Sequence, residues 1–286
     1  MPYLYKFRNF NNPHHMRSIT HSEVWFSGPL QFNDPFDCNI PIRVDKCPEE
    51  WQLQRMAEVA LQRDPQLSLD EALAAARKEL DNTHDVVQIL HKHQMENVIN
   101  PKTGVLPLAP YWREKRSKLI WAHYTESHTG FAVGFDQEVL LRWMREVSGA
   151  KPEAERHTPT PGLQIRPTQV TYVEKLPLLK PCEMSEAEIV LKLLTHKAMD
   201  WDYEEEWRLL LMKLSEEGHL MPLDKTDRAQ QLPVGAIAEV ILGAKVSPSN
   251  VDLIKMLLRR RDDSVRLYQA RISYDKFDLE RDELSY

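Results

Sequence analysis

A chain of 286 residues that is 42% hydrophobic and 28% charged can bury a core, which excludes global disorder and bounds the protein at one large domain or two small ones. Its formal net charge of −6 argues against a general nucleic-acid coat and leaves room only for a local basic groove. Three cysteines, Cys38, Cys47 and Cys182, are odd in number, far apart and free of any CxxC. They predict neither a disulfide framework nor a structural zinc site, and they point to a reducing cytoplasm. MPYLYKFRNF lacks the apolar stretch of a signal peptide, and no apolar run reaches the ~18 residues that span a membrane, so no membrane partner is expected. Nine glycines, with no GxGxxG or Walker-type motif, argue against a phosphate-binding loop.

Along the chain, Tyr3 to Phe7 alternates as a first strand. His21 to Ser27 suits a second, stopped by Gly28-Pro29. Phe32-Asn-Asp-Pro-Phe-Asp37 reads as a turn, because Pro35 disfavours helix at Asp34 and the Asn and Asp side chains bond nearby backbone. Pro48 to about Asn100 reads as a helical insertion, with a capping box at Ser68/Glu71 and Thr83 as the next cap. Trp112 to Lys118 is basic. Leu119–Tyr124 and Gly130–Phe135 read as two strands of a hairpin. Asp136 caps a helix through Glu146, with Gly149 near its end. Lys151 to Gln169, rich in proline, reads as a long surface loop and Val170–Val173 as a short strand. Ser185/Glu188 opens another helix to about Met199. Leu209–Met212 and Ala238–Val246 read as strands, Ser247-Pro248 starts a helix to Arg261, and Val265–Ser273 alternates as a last strand. The pattern predicts an α+β fold, a mixed and largely antiparallel sheet with inserted helical blocks, in a single domain over residues 1–286.

The strongest chemical signal is Trp201-Asp-Tyr-Glu-Glu-Glu-Trp-Arg208. Carboxylates held close together beside large rings can raise a pKa or face a forming cation. As a helix, Glu204 and Arg208 make a plain i,i+4 pair. As a strand, Glu204, Glu206 and Arg208 share one face and Trp207 faces the core. Trp121-Ala-His-Tyr124 with His128 suits ring stacking or a buried aromatic hairpin better than a metal pair, because i,i+5 is not a helical ligand spacing. Asn33, Asp34 and Asp37 could meet a ribose, an amide or a metal, although a self-bonded turn is the commoner use. Lys6 and Arg8 fall on one strand face and could grip a phosphate or carboxylate. The basic runs Arg113–Lys118 and Arg259–Arg261 suit solvated helix faces or a nucleic-acid backbone. No GxSxG or comparable nucleophile motif occurs.

Taken in order, LYKFR, VWFSGPLQFNDPFD, IWAHYTESHTGFAVGFD, KAMDWDYEEEWRLLL and EVILG resemble a bacterial domain of unknown function over about residues 3–270. That family is recognised by its Asn-Asp-Pro-Phe and Trp-x-x-Glu-x-Glu-Trp-Arg-like motifs. A looser resemblance, to ADP-ribosyltransferase-like proteins, rests on a basic first strand (Lys6 or Arg8), a middle Ser27 or Tyr124, and a late Glu-x-Glu. The usual first-strand histidine is missing.

This second resemblance implies a mono-ADP-ribosyltransferase-like enzyme with NAD as substrate and no metal, acting on nucleic acid or protein as a toxin or phage-defence effector. Glu206 would stabilise the cationic ribose and Glu204 would orient the acceptor. Lys6 and Arg8 would pair with the pyrophosphate, and His123 or Tyr124 would pack the nicotinamide. Ser27 and Asn33 complete the expected cofactor contacts. The competing readings are a metal-dependent nuclease or phosphodiesterase using Asp34, Asp37, His123, Glu204 and Glu206, and a non-enzymatic binding module of a defence system.

Overall fold

The computed structural model describes residues 2–80, 83–113, 117–149 and 160–286. They fall into two compact units, each discontinuous in sequence. One comprises Met1–Ser27, Gly104–Val170 and Asp200–Tyr286, the other Gly28–Thr103 and Thr171–Met199.

The strands in chain order are β1 (Tyr3–Arg8), β2 (Glu23–Trp25), β3 (Thr103–Leu108), β4 (Phe131–Asp136), β5 (Gly162–Gln169), β6 (Thr171–Val173), β7 (His196–Ala198), β8 (Trp207–Leu214), β9 (Leu220–Met221), β10 (Ala229–Gln231), β11 (Ile237–Leu242), β12 (Arg266–Ile272) and β13 (Leu279–Leu284). The helices are α1 (Arg17–His21), α2 (Glu49–Arg63), α3 (Leu69–Leu80), α4 (Thr83–His93), α5 (Asn100–Lys102), α6 (Ser117–Tyr124), α7 (Gln137–Val147), α8 (Glu186–Thr195), α9 (Lys225–Arg228) and α10 (Pro248–Leu258). The protein is α+β, with mixed and mostly antiparallel sheets.

The first unit is built on a five-stranded sheet of order β1-β4-β11-β12-β13, antiparallel except for the β11–β12 pair, which α10 connects. A second sheet of order β3-β8-β5 carries β9 on β8. Alternation along β1 explains the layering, because successive side chains leave a strand on opposite sides. Leu4 joins a core made by Phe131, Val133 and Phe135 of β4, Leu209 and Leu211 of β8, Leu140 and Trp143 of α7 and Ile254 of α10. Tyr5 and Phe7 join the other core, with Trp121 of α6, Ile241 and Tyr268. The helices begin where sequence chemistry puts them. Asp136 accepts from Glu138 and Val139 N–H at the start of α7, and Ser247 caps α10 ahead of Pro248.

The second unit holds α2, α3 and α4, whose apolar stripes enclose Val44, Met56, Val59, Ala76 and Leu90. Capping boxes at Ser68/Glu71 and Ser185/Glu188 form as expected. Thr83 is the first residue of α4, and its capping role lies outside the described side chains.

Several expectations are corrected. Leu119–Tyr124 is not a strand. It lies in α6, because Ile120 and Trp121 bury on one helical face and Trp121 Nε1 donates to the Trp112 carbonyl at 2.7 Å. The surface loop expected over 151–169 is strand from Gly162, in an eight-residue antiparallel register with β8, where Ile165 enters the core. Residues 151–159 of that loop, and Glu114–Arg116 of the basic run, lie outside the described residues.

Most directly, Cys47 and Cys182 form a disulfide across 135 residues, with Cα atoms 5.8 Å apart. Spacing in sequence carried no trace of it. Backbone pairing of Ile42 and Arg43 with Leu179 brings the two segments together. The inference of a reducing compartment therefore loses its cysteine argument. Among the described residues no helix is long and apolar enough to cross a membrane.

Candidate functional site

Met199–Glu204 is a 3-10 helix, Glu205 takes a left-handed conformation (φ 44°), and β8 begins only at Trp207. The acidic motif is therefore not the continuous strand that its alternation suggested. Its burial still alternates: Glu204, Glu206 and Arg208 are buried, while Glu205 and Trp207 are only partly so. The left-handed turn at Glu205 preserves a two-residue period that helix geometry alone would break. Trp207 packs on the core through β8, as expected.

The two glutamates have different partners. Glu204 Oε1 accepts a hydrogen bond from the Tyr124 hydroxyl at 2.7 Å, joining the end of α6 to a residue 80 positions later. Beside this pair, the rings of His123, Trp201 and Tyr203 lie 6.0–6.4 Å apart, centroid to centroid. Glu206 instead accepts from Arg208 Nε at 2.7 Å, and the guanidinium is wholly removed from solvent. A carboxylate matched to a buried guanidinium is fixed in place. Trp121, predicted as a stacking platform, is wholly buried and stacks on His128, whose pKa is lowered by burial and by Lys245.

Lys6 and Arg8 do not join Tyr124. They pair in register with Val133 and Phe131, which face the α7 core, whereas Tyr5 and Phe7 face the core against which Tyr124 and Tyr203 pack. The basic pair and the Tyr124–Glu204 pair therefore leave β1 on opposite sides. Lys6 Nζ donates to the Pro107 carbonyl at 2.8 Å. Arg8 makes no ion pair among the described residues, and desolvation lowers its pKa to about 10. Its neighbour His15 is pushed down to about 4 by burial and by the charge of Arg8, so it stands neutral beside the cation at pH 7.

Ser27 pairs through its backbone with Val105 in both directions. Asn33, Asp34 and Asp37 belong to the second unit. Asn33 is exposed, Asp34 accepts from Phe36 N–H within its own turn, and Asp37 pairs with the buried Lys197 at 3.3 Å. The self-bonded turn thus accounts for Asp34. No group of three or more His, Cys, Asp and Glu among the described residues is placed to hold a metal ion.

A grouping that sequence reasoning missed surrounds Glu239 of β11, which has no solvent exposure. Its carboxylate accepts from the Tyr5 hydroxyl at 2.9 Å, Arg281 at 2.6 Å and Arg266 at 3.2 Å. Burial, then the Glu239 charge, pushes the Tyr5 phenol well above its ordinary range. The available signal was a lone glutamate inside the apolar run IAEVIL, where a buried charge requires partners.

Fold and site together define an α+β protein whose candidate chemistry rests on a buried, tyrosine-bonded glutamate. Residues 120–209 match the family model described as Protein of unknown function (DUF2971). The match takes in WAHYTESHTGFAVGFD and WDYEEEWRL, and it is shorter than the 3–270 implied by motif order. No curated protein and no solved structure matches the chain.

Proposed function

We propose that the chain is an ADP-ribosyltransferase-like enzyme that cleaves the nicotinamide–ribose bond of NAD and passes the ribosyl group to nucleic acid or protein, in the manner of a toxin or phage-defence effector. The Tyr124–Glu204 hydrogen bond carries the reading. It joins two motif residues selected from sequence, each next in the chain to a member of the His123–Trp201–Tyr203 ring group. The C1′–N bond breaks with its electron pair leaving on nicotinamide. The acceptor's oxygen or nitrogen bonds C1′ and gives up its proton. Positive charge on the ribose in between favours a preorganised carboxylate nearby. Glu204, held by the Tyr124 hydroxyl, is assigned that role, and Glu206, which pairs with Arg208, is not. His123, exposed and next to Tyr124, is the ring available to nicotinamide. Lys6 and Arg8, on the other side of β1, are not assigned to the same ligand group.

NAD should raise the melting temperature, and purified protein supplied with DNA, RNA or protein acceptors should release nicotinamide. Glu204→Gln should reduce that release at least ~100-fold, the loss expected when one preorganised charge is removed. If wild-type protein shows neither NAD-dependent stabilisation nor nicotinamide release, the enzymatic reading fails. Glu204 would then be a scaffold residue of a binding module.

A further inference from the structure

Within the first unit, a cavity of about 640 Å3 lies against Tyr5, between the start of β1, the segment Pro110–Arg113 and the β12–β13 hairpin. A single inorganic anion would leave most of that volume empty, whereas it sits in the middle of the range that encloses small organic ligands. The wall mixes rings and guanidinium groups: Tyr3, Tyr111, Trp112, Arg113 and Arg281 all line it.

Of the charged residues that line it, three are arginines (Arg113, Arg271 and Arg281) and one is a carboxylate, Glu280. Behind the wall, the single carboxylate of Glu239 serves two guanidinium groups, Arg266 and Arg281, which leaves one positive charge over. Arg281 is locked in place, 3.9 Å over the Tyr268 ring and 4.9 Å over Trp112. Arg113 is different. Its side chain is 40% exposed, it pairs with Asp278 at 3.7 Å, and it rests 5.9 Å over Trp112. Arg271 and Glu280 also border the cavity, but Arg271 is already taken up across β12 and β13 by two carboxylates, Glu280 and Asp282.

A fixed cation, a second and partly exposed cation on a long pair with Asp278, and adjoining rings in one concave space match a ligand that is both flat and negatively charged. We propose that this cavity binds a nucleoside 5′-phosphate, with Arg113 on the phosphate and the Tyr111–Trp112 segment against the base. The ligand is either a free nucleotide or the phosphorylated end of a nucleic-acid strand. Neither Glu204 nor Tyr124 lines the cavity, so the inference stands apart from the NAD-cleavage reading.

Calorimetric titration of the full chain tests it with AMP, GMP, CMP, UMP, adenosine, inorganic phosphate and a 5′-phosphorylated oligonucleotide. At least one nucleotide or the oligonucleotide should bind, with adenosine and phosphate each about tenfold weaker or more. Arg113→Glu, at a partly exposed position, should weaken binding by at least the same factor. Trp112→Leu should weaken it as well. Tighter binding of the oligonucleotide than of any mononucleotide supports the strand end, and the reverse supports the free nucleotide. No binding at millimolar concentration, or affinity unchanged in both variants, overturns the proposal. Glu204→Gln should leave these affinities as they are, so that a failure of NAD cleavage reads out separately.

Discussion

Glu206 and Arg208 show how one residue can look catalytic in sequence and serve the fold in space. Alternation in WDYEEEWR marked Glu204, Glu206 and Arg208 as a set, and their shared burial bears that out. The alternation could not show that the first of them ends a 3-10 helix and the last lies in a strand that begins at Trp207. The intervening Glu205 adopts a positive φ that its side chain does not advertise. Arg208 cannot lose its proton at any ordinary pH, so its burial is tolerable only with a matched anion. Glu206→Gln keeps the shape and removes the charge. It should lower stability by about 3–5 kcal/mol, because it takes a paired anion away from a buried guanidinium. In urea denaturation, Glu206→Gln combined with Arg208→Met should recover part of that loss. An unchanged midpoint in Glu206→Gln would show that Glu206 is not needed to hold Arg208, and would restore it as a candidate for chemistry.

Among the elements, those with local chemical signals were legible. Ser68, Asp136, Ser185 and Ser247 each cap or open the helix expected of them, because an N-cap needs only its own side chain and the next three residues. Helix α6 was not legible. Its Ile, Trp and Tyr favour a strand, and only the burial of Trp121 settles the matter. The turn after it passes through three consecutive positive-φ residues, Glu126, Ser127 and His128, none of them glycine.

Gly130, which ends that turn, is constrained by space and not by φ. A Cβ there would sit 2.1 Å from the Arg8 carbonyl oxygen and 2.9 Å from Thr125 Cβ. Both neighbours are fixed, one by the β1–β4 ladder and the other by complete burial. Gly130→Ala should therefore cost more than about 4 kcal/mol, in the range reserved for forced backbone movement. Gly235 makes the control. Its φ is +81° but nothing stands near its Cβ position. Gly235→Ala should cost only about 1–2 kcal/mol for the left-handed conformation. Equal losses from the two substitutions in chemical denaturation would refute the steric account.

At the scale of the whole molecule, the helical block from 48 to 100 and most strands were legible, and their assembly was not. Sheet order β1-β4-β11-β12-β13 joins segments more than a hundred residues apart, and each unit is stitched from separated stretches. Such closeness is set by which apolar faces find each other, which no local window records. The disulfide is the clearest instance, because Cys47 follows a short 3-10 turn while Cys182 sits ahead of α8, and only the pairing near Leu179 joins them. A cross-link closing a loop of 135 residues removes much of the freedom of the unfolded chain. Its loss should lower stability by about 2–5 kcal/mol. In urea titrations, dithiothreitol should shift the wild-type midpoint downward. Cys47→Ser should start from the lowered midpoint and show no further response to reductant, since Cys38 lies outside the pair and is buried. A wild-type midpoint indifferent to reductant, matched by an unaltered Cys47→Ser, would mean that the two sulfurs are neighbours without a stabilising bond.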